Sequence, residues 1–255
     1  MIKLRIPGYI NEKQFTVTGG NQDKECIMSQ CYLRAQWYQQ GMSGGYTEED
    51  YFSERHYGIP LHLTINIYAH DRKKSILHQA KCIADALIGL AYKDDRQICA
   101  LTVRRIVTDD PEHIDIKVEE ANDDNVKHYR LKHSITVDGK AETLKATNKN
   151  EDGVYSDAEA RARDLEYTKQ FSQLPPDITA IDIIAPVVDI PIYGHQRLKE
   201  LIINEHIYPL SVKDPDNIVH GILAGVSGLN WEGIDEINIT EVYNVTDSKI
   251  IVSYE

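Results

Sequence analysis

The chain has 255 residues, of which 42% are hydrophobic and 27% charged, a globular composition that excludes a wholly disordered polypeptide. It carries 40 acidic against 28 basic side chains, a formal net charge of −12, which argues against DNA binding through a broad positive surface and leaves room for a local basic groove. No apolar run reaches the roughly 20 residues of a membrane helix, and Met1–Pro7 lacks the apolar core of a signal peptide, so the expected compartment is the cytoplasm.

Ile2–Ile6 reads as a short strand stopped by Pro7-Gly8. A polar, tyrosine-rich excursion follows to Tyr57, with a helical stretch over Cys31–Gln40. Leu61–Tyr68 alternates apolar and polar residues, the mark of a half-buried strand. After the basic knot Asp71-Arg72-Lys73-Lys74, Ser75 is a good N-cap, and Ile76, Leu77, Ala80, Ile83, Ala84 and Leu87 recur at helical spacing up to Gly89. Strands are expected at Gln97–Val107 and Ile114–Val118, and residues 120–127 read as a polar linker. Beyond it come a hairpin around Asp138-Gly139, a helix over Ser156–Phe171 with Glu159 completing a capping box, and a strand-forming run over Ile178–Ile192. A short helix over Gln196–Glu205, a helix from Asp214 to Val226, and strands at Ile234–Val245 and Lys249–Tyr254 close the chain. Cys26, Cys31, Cys82 and Cys99 form no CxxC pair and read as free thiols rather than a zinc site.

The two halves can be laid over each other. Ser75 to Gly89 spans 14 positions, as does Asp214 to Gly228. A constant offset of 139 pairs Gly89 with Gly228, Tyr92 with Trp231, Ile98 with Ile237 and Val103 with Val242. A repeated unit implies two similar domains packed about a pseudo-twofold, the fused form of a dimer.

The repeated residues resemble the RusA-type Holliday junction resolvases. In that family an Asp-x-Asp-Asn motif opens a helix, a lysine follows on it, and a helix-ending Asp-Ala-Leu, a glycine, an aromatic and an Asp-Asp-x-Gln motif lead into a strand. The second half here has Asp214-Pro215-Asp216-Asn217 and then Gly228 to Glu232; the first has Lys81, Asp85-Ala86-Leu87, Gly89, Tyr92 and Asp94-Asp95-Arg96-Gln97. The resemblance covers about 50 residues of each half closely, by the notional length of the repeated unit. It implies an α+β fold of two RusA-like mixed-sheet domains, residues 1–122 and 128–255, packed as a pseudo-twofold dimer within one chain. It also implies magnesium-dependent cutting of branched DNA. Departures accompany the matches: the first copy has Ser75, Leu77 and His78 at the Asp-x-Asp-Asn positions, and the second has Gly233 and Ile234 at the Asp-Asp positions, His220 at the lysine and Ala224 at the helix aspartate.

Phosphodiester hydrolysis needs an activated water and relief of charge at phosphorus, and magnesium held by a few carboxylates supplies both. Asp214 and Asp216 supply two ligands, although acids at a helix start also serve as caps. A third could be Glu236, which by strand alternation faces the way the missing aspartate would, or Asp235 across a bulge. Alternatively, Asp94 and Asp95 of the first half could complete a composite site. The family sites are implied to lie within one unit, which ranks the composite second. The candidate DNA contacts are Arg72, Lys73, Lys74, Lys81, Arg104, Arg105 and His220, with a weaker patch at Lys127, Arg130, Lys132 and His133. Two equivalent sites are excluded by the departures. The expectation is therefore an endonuclease with at most one asymmetric site, or an inactive module that binds DNA junctions or a protein partner.

Overall fold

The computed structural model describes residues 2–8, 10, 24–44, 60–92, 95–128, 131–139, 141, 158–187, 214–243 and 249–255. The fold is mixed α+β: one eight-stranded mixed sheet and four helices among these residues. The expected helix over Gln196–Glu205, the cap at Ser156 and the side chains of Asp94 and Arg130 lie outside the described residues.

The strands are β1 (Ile2–Pro7), β2 (Leu61–Ala69), β3 (Ile98–Val107), β4 (His113–Glu120), β5 (His133–Asp138), β6 (Ala180–Val187), β7 (Glu236–Tyr243) and β8 (Lys249–Tyr254). The helices are α1 (Lys24–Gly44), α2 (Ile76–Leu87), α3 (Ala158–Lys169) and α4 (Pro215–Leu223). Alternation along β2 buries Leu61, Leu63, Ile65 and Ile67 on the face that meets the helices. Helical spacing along α2 buries Ile76, Leu77, Ala80, Ile83, Ala84 and Leu87 against that face. Each such Ile or Leu contributes roughly 1.5–3 kcal/mol of burial.

The strand order is β1-β4-β2-β3-β7-β6-β8-β5. Read inward from either edge, the sheet has one plan. An edge strand pairs antiparallel with its neighbour, that neighbour pairs antiparallel with the next, and a parallel pair follows. Each parallel pair needs a crossover, and α2 supplies one and α4 the other. The plans meet at β3 and β7, which pair antiparallel from Ala100–Thr240 to Arg104–Glu236. At the middle of this seam the Thr102 hydroxyl donates to Asn238 Oδ1 at 2.7 Å, and the Asn238 amide donates in turn to Asp182. The buried apolar core is continuous across the seam, from Leu4 to Val252.

The strand register corrects the constant offset. Val103 lies opposite Ile237 and Leu101 opposite Ile239, so past a bulge at Ile98–Ala100 the core-facing residues of β3 are odd-numbered, as are those of β7. An offset of 139 sends odd to even and would turn Val242 into the core. The offset keeps Ile98 and Ile237 both in the core and loses register after them, where β3 bulges at Cys99. Before that point the offset holds in detail. Ser75 and Asp214 are both extended N-caps, and Gly89 and Gly228 both adopt positive φ, +77° and +73°. A side chain is strained in that conformation, which is why glycine ends both segments.

The expected linker is not a solvated tether. Residues 121–128 lie against the second face of the sheet, where Ala121 and Val126 pack on Cys99 and Ala100 and the Lys127 carbonyl accepts from the Asn238 amide at 2.9 Å. His128 reaches to 3.8 Å from the buried Asp182 carboxylate. No helix among the described residues is long and apolar enough to cross a membrane.

Candidate active site between two helices

Because β3 and β7 run antiparallel, the crossover helices α2 and α4 also run antiparallel, side by side over the seam. The first turn of α4 faces the middle of α2. Lys81 Nζ donates to Asp216 Oδ2 at 2.9 Å and to Asn217 Oδ1 at 3.2 Å. The Asn217 amide donates to Asp214 Oδ2 at 2.7 Å. The lysine comes from the first half of the sequence and the two aspartates and the asparagine from the second. The side chains of Lys81 and Asp216 retain only 12% and 6% exposure. Removing either would strand a buried charge, at a cost of about 3–5 kcal/mol.

Asp95 opens a single 3-10 turn, Asp95–Gln97, that leads into β3. Its charge is close enough to act on Asp214. Burial pushes the Asp214 carboxyl up to about 7, with Asp95 and then Asp216 adding to the rise, while Lys81 and the Asn217 hydrogen bond oppose it. Buried Tyr92, whose hydroxyl donates to the Ala84 carbonyl at 2.7 Å, is also pushed up, by burial first and then by Asp95, Asp216 and Asp214. The charges of Asp95 and Asp216 thus both act on the Asp214 carboxyl, with Lys81 between the helices.

This arrangement departs from a site built inside one unit. Asp216 and Asn217 of the second half meet Lys81 of the first, and the charge of Asp95 acts on Asp214. The capping alternative also loses ground. Asp214 stands at the N-cap of α4, but its carboxylate makes no capping bond to the helix backbone and instead accepts from Asn217.

The other proposed third ligands lie elsewhere. Asp235 accepts from Arg72 at 2.6 Å and from Arg105 at 3.3 Å, and Glu236 accepts from Arg104 at 2.9 Å. The buried Arg105 also donates to the Glu232 carbonyl at 2.6 Å and to the Lys74 carbonyl, which puts this group beside the start of α2. Arg104 and Arg105 therefore do not converge with Lys81. Successive strand residues point to opposite faces, and each arginine is taken up by a carboxylate of the second half. Lys73 pairs with Asp71 at 2.5 Å.

His220 is not a surface histidine. His220 and His78 each stack on Trp231, with centroids 5.7 and 5.6 Å away. Burial, His78 and Lys81 lower His220 to about 4, so it is neutral at pH 7. Sequence reading gave no role to Asn217 or to this aromatic cluster. The asparagine of the Asp-Pro-Asp-Asn run was the available signal for the first.

The donor set has the chemistry of a magnesium site: hard oxygens, and negative charge that a lysine offsets only in part. Among the described residues, no group of three His, Cys, Asp or Glu side chains is spaced to hold a metal ion as the chain lies. Asp214, Asp216 and Asp95 are the residues that fit such an ion by type and by their mutual charge. No protein-family model matches this chain, and no curated protein matches it.

Proposed function

We propose that this chain is a RusA-like protein of branched-DNA processing, two diverged copies of one unit fused as a pseudo-twofold pair, with a single magnesium-dependent site for phosphodiester cleavage. The observation that carries the reading is the meeting of Lys81 and Asp95 with Asp214, Asp216 and Asn217. By sequence the motif residues are split between the halves. The contacts of Lys81 with Asp216 and Asn217 bridge the two halves and support this reading. The mirror-image plan of the sheet supports the duplication, since antiparallel joining of two equal units at β3 and β7 is what a dyad through the sheet produces.

Asp214, Asp216 and Asp95 would hold the magnesium ion, which when bound supplies charge relief and a more acidic water. Asn217 keeps Asp214 oriented through its amide. Lys81 holds Asp216 and brings a positive charge to the recess that receives the phosphate.

The test is incubation with a synthetic four-way junction and a three-way fork in magnesium, with Asp214→Asn and Asp216→Asn as comparisons. Cleavage by the wild type and loss of it in both variants supports the reading. Salt-sensitive binding with no cleavage under any metal supports an inactive junction-binding descendant instead. Absence of any DNA binding supports the module that binds a protein partner, which the engagement of Arg104 and Arg105 with the protein's own carboxylates favours.

A further inference from the structure

The same plan that builds the acidic recess builds a second place, at the start of α2 and the stretch after Trp231. The departures at Ser75, Leu77, His78, His220, Gly233 and Ile234 fall there. Ser75, Leu77 and His78 stand where α4 has Asp214, Asp216 and Asn217, and His220 stands where α2 has Lys81. Leu77 and Ile234 are buried in the core, at 0% and 1% exposure. These losses, which look scattered between the copies, are thus confined to one of two related places, because each place draws on both copies.

The altered end also carries what the acidic end's described residues do not, a basic loop. Arg72 and Lys73 lead into α2 with side chains 58% and 82% exposed. Their partners Asp235 and Asp71 hold them in surface pairs, and such pairs contribute about 0–1 kcal/mol. A phosphate oxygen can take the place of either carboxylate at little cost. Arg105 is different: its guanidinium is 2% exposed and serves the junction of the two halves.

We propose that this end is a strand-holding site, which takes the phosphodiester backbone of one DNA arm through Arg72 and Lys73 and does not cut it. The inference rests on the function proposed above and deepens it. The chain holds one arm at this end and incises another at the acidic end, so each bound chain leaves one nick and never a matched pair. Its fitting substrate is branched DNA without twofold symmetry.

Two measurements test this. On a plasmid carrying an extruded cruciform, the full chain in magnesium yields nicked circles; conversion to linear plasmid within one binding event overturns the single incision. For the holding role, junction affinity is measured against salt in the Asp214→Asn protein with and without Arg72→Ala and Lys73→Ala, which keep the DNA intact. Losing two phosphate contacts makes the slope of log K against log salt shallower by about 2. Both substituted positions are exposed, so the fold is expected to persist, and circular dichroism checks it. A slope that does not move overturns the holding site alone. A wild type that binds no branched DNA overturns the proposed function and this inference together.

Discussion

Asp214→Asn isolates the crowding of charge in the recess. The amide keeps an oxygen for the Asn217 donor and removes the negative charge. In the wild type the Asp214 carboxyl is pushed up from 3.8 to about 7 by burial and then by Asp95 and Asp216. A carboxyl raised in the folded state binds its proton more tightly folded than unfolded. Stability from this group is therefore full below pH 3.8 and is lost progressively as pH rises through about 7. At about 1.4 kcal/mol for each pH unit of that interval, the ceiling is about 4 kcal/mol. The neighbouring acids share the proton and solvent reaches part of the group, so about 2 kcal/mol is expected. Melting without divalent ions should show the variant about 4–8 °C above wild type at pH 8, on the scale for a chain of this size, and level with it at pH 3.5. A variant no more stable than wild type at pH 8, or one whose gain is the same at both pH values, would refute the crowding of Asp214 by Asp95 and Asp216.

Magnesium should raise the wild-type melting temperature at pH 8 and raise that of Asp214→Asn less, because a ligand of the folded state stabilises in proportion to its affinity; a thermal shift titration measures it. Lys81→Met leaves Asp216 buried without its cation and should cost about 3 kcal/mol in urea unfolding, with Lys81→Met/Asp216→Leu recovering part of the loss. Arg105→Ala should destabilise by about 2–4 kcal/mol, since it opens three hydrogen bonds between α2 and the entry to β7, whereas Arg104→Ala, in a surface pair with Glu236, should cost under about 1 kcal/mol. Gly225→Ala would set a methyl 1.9 Å from the Thr168 carbonyl oxygen, where α3 meets the end of α4, and is expected to cost more than about 2 kcal/mol by denaturant titration.

The local elements were legible in the residues because their causes are local. Alternation announced β2, the spacing of Ile76, Leu77, Ala80, Ile83 and Leu87 announced α2, and a glycine after each crossover helix announced its end. So did the repeat, as long as helix and cap set the count. The repeat lost its register within β3, past a bulge at Cys99 that no periodicity records. The composite site was legible only as the second choice, for a different reason. Which half supplies the third acid depends on two parallel pairs joining antiparallel at β3 and β7, a contact between residues more than 130 positions apart that no local pattern encodes. The same distance hid the fate of other residues: Arg104 and Arg105 read as cations for a partner, and Asp235 and Glu236 read as metal ligands, until the seam set them against each other. The amino-acid order by itself determined the helices and the strands. The tertiary structure alone decided that Lys81 of the first half pairs with Asp216 of the second, because charge acts across space and the chain brings these groups together only when the sheet closes at its centre.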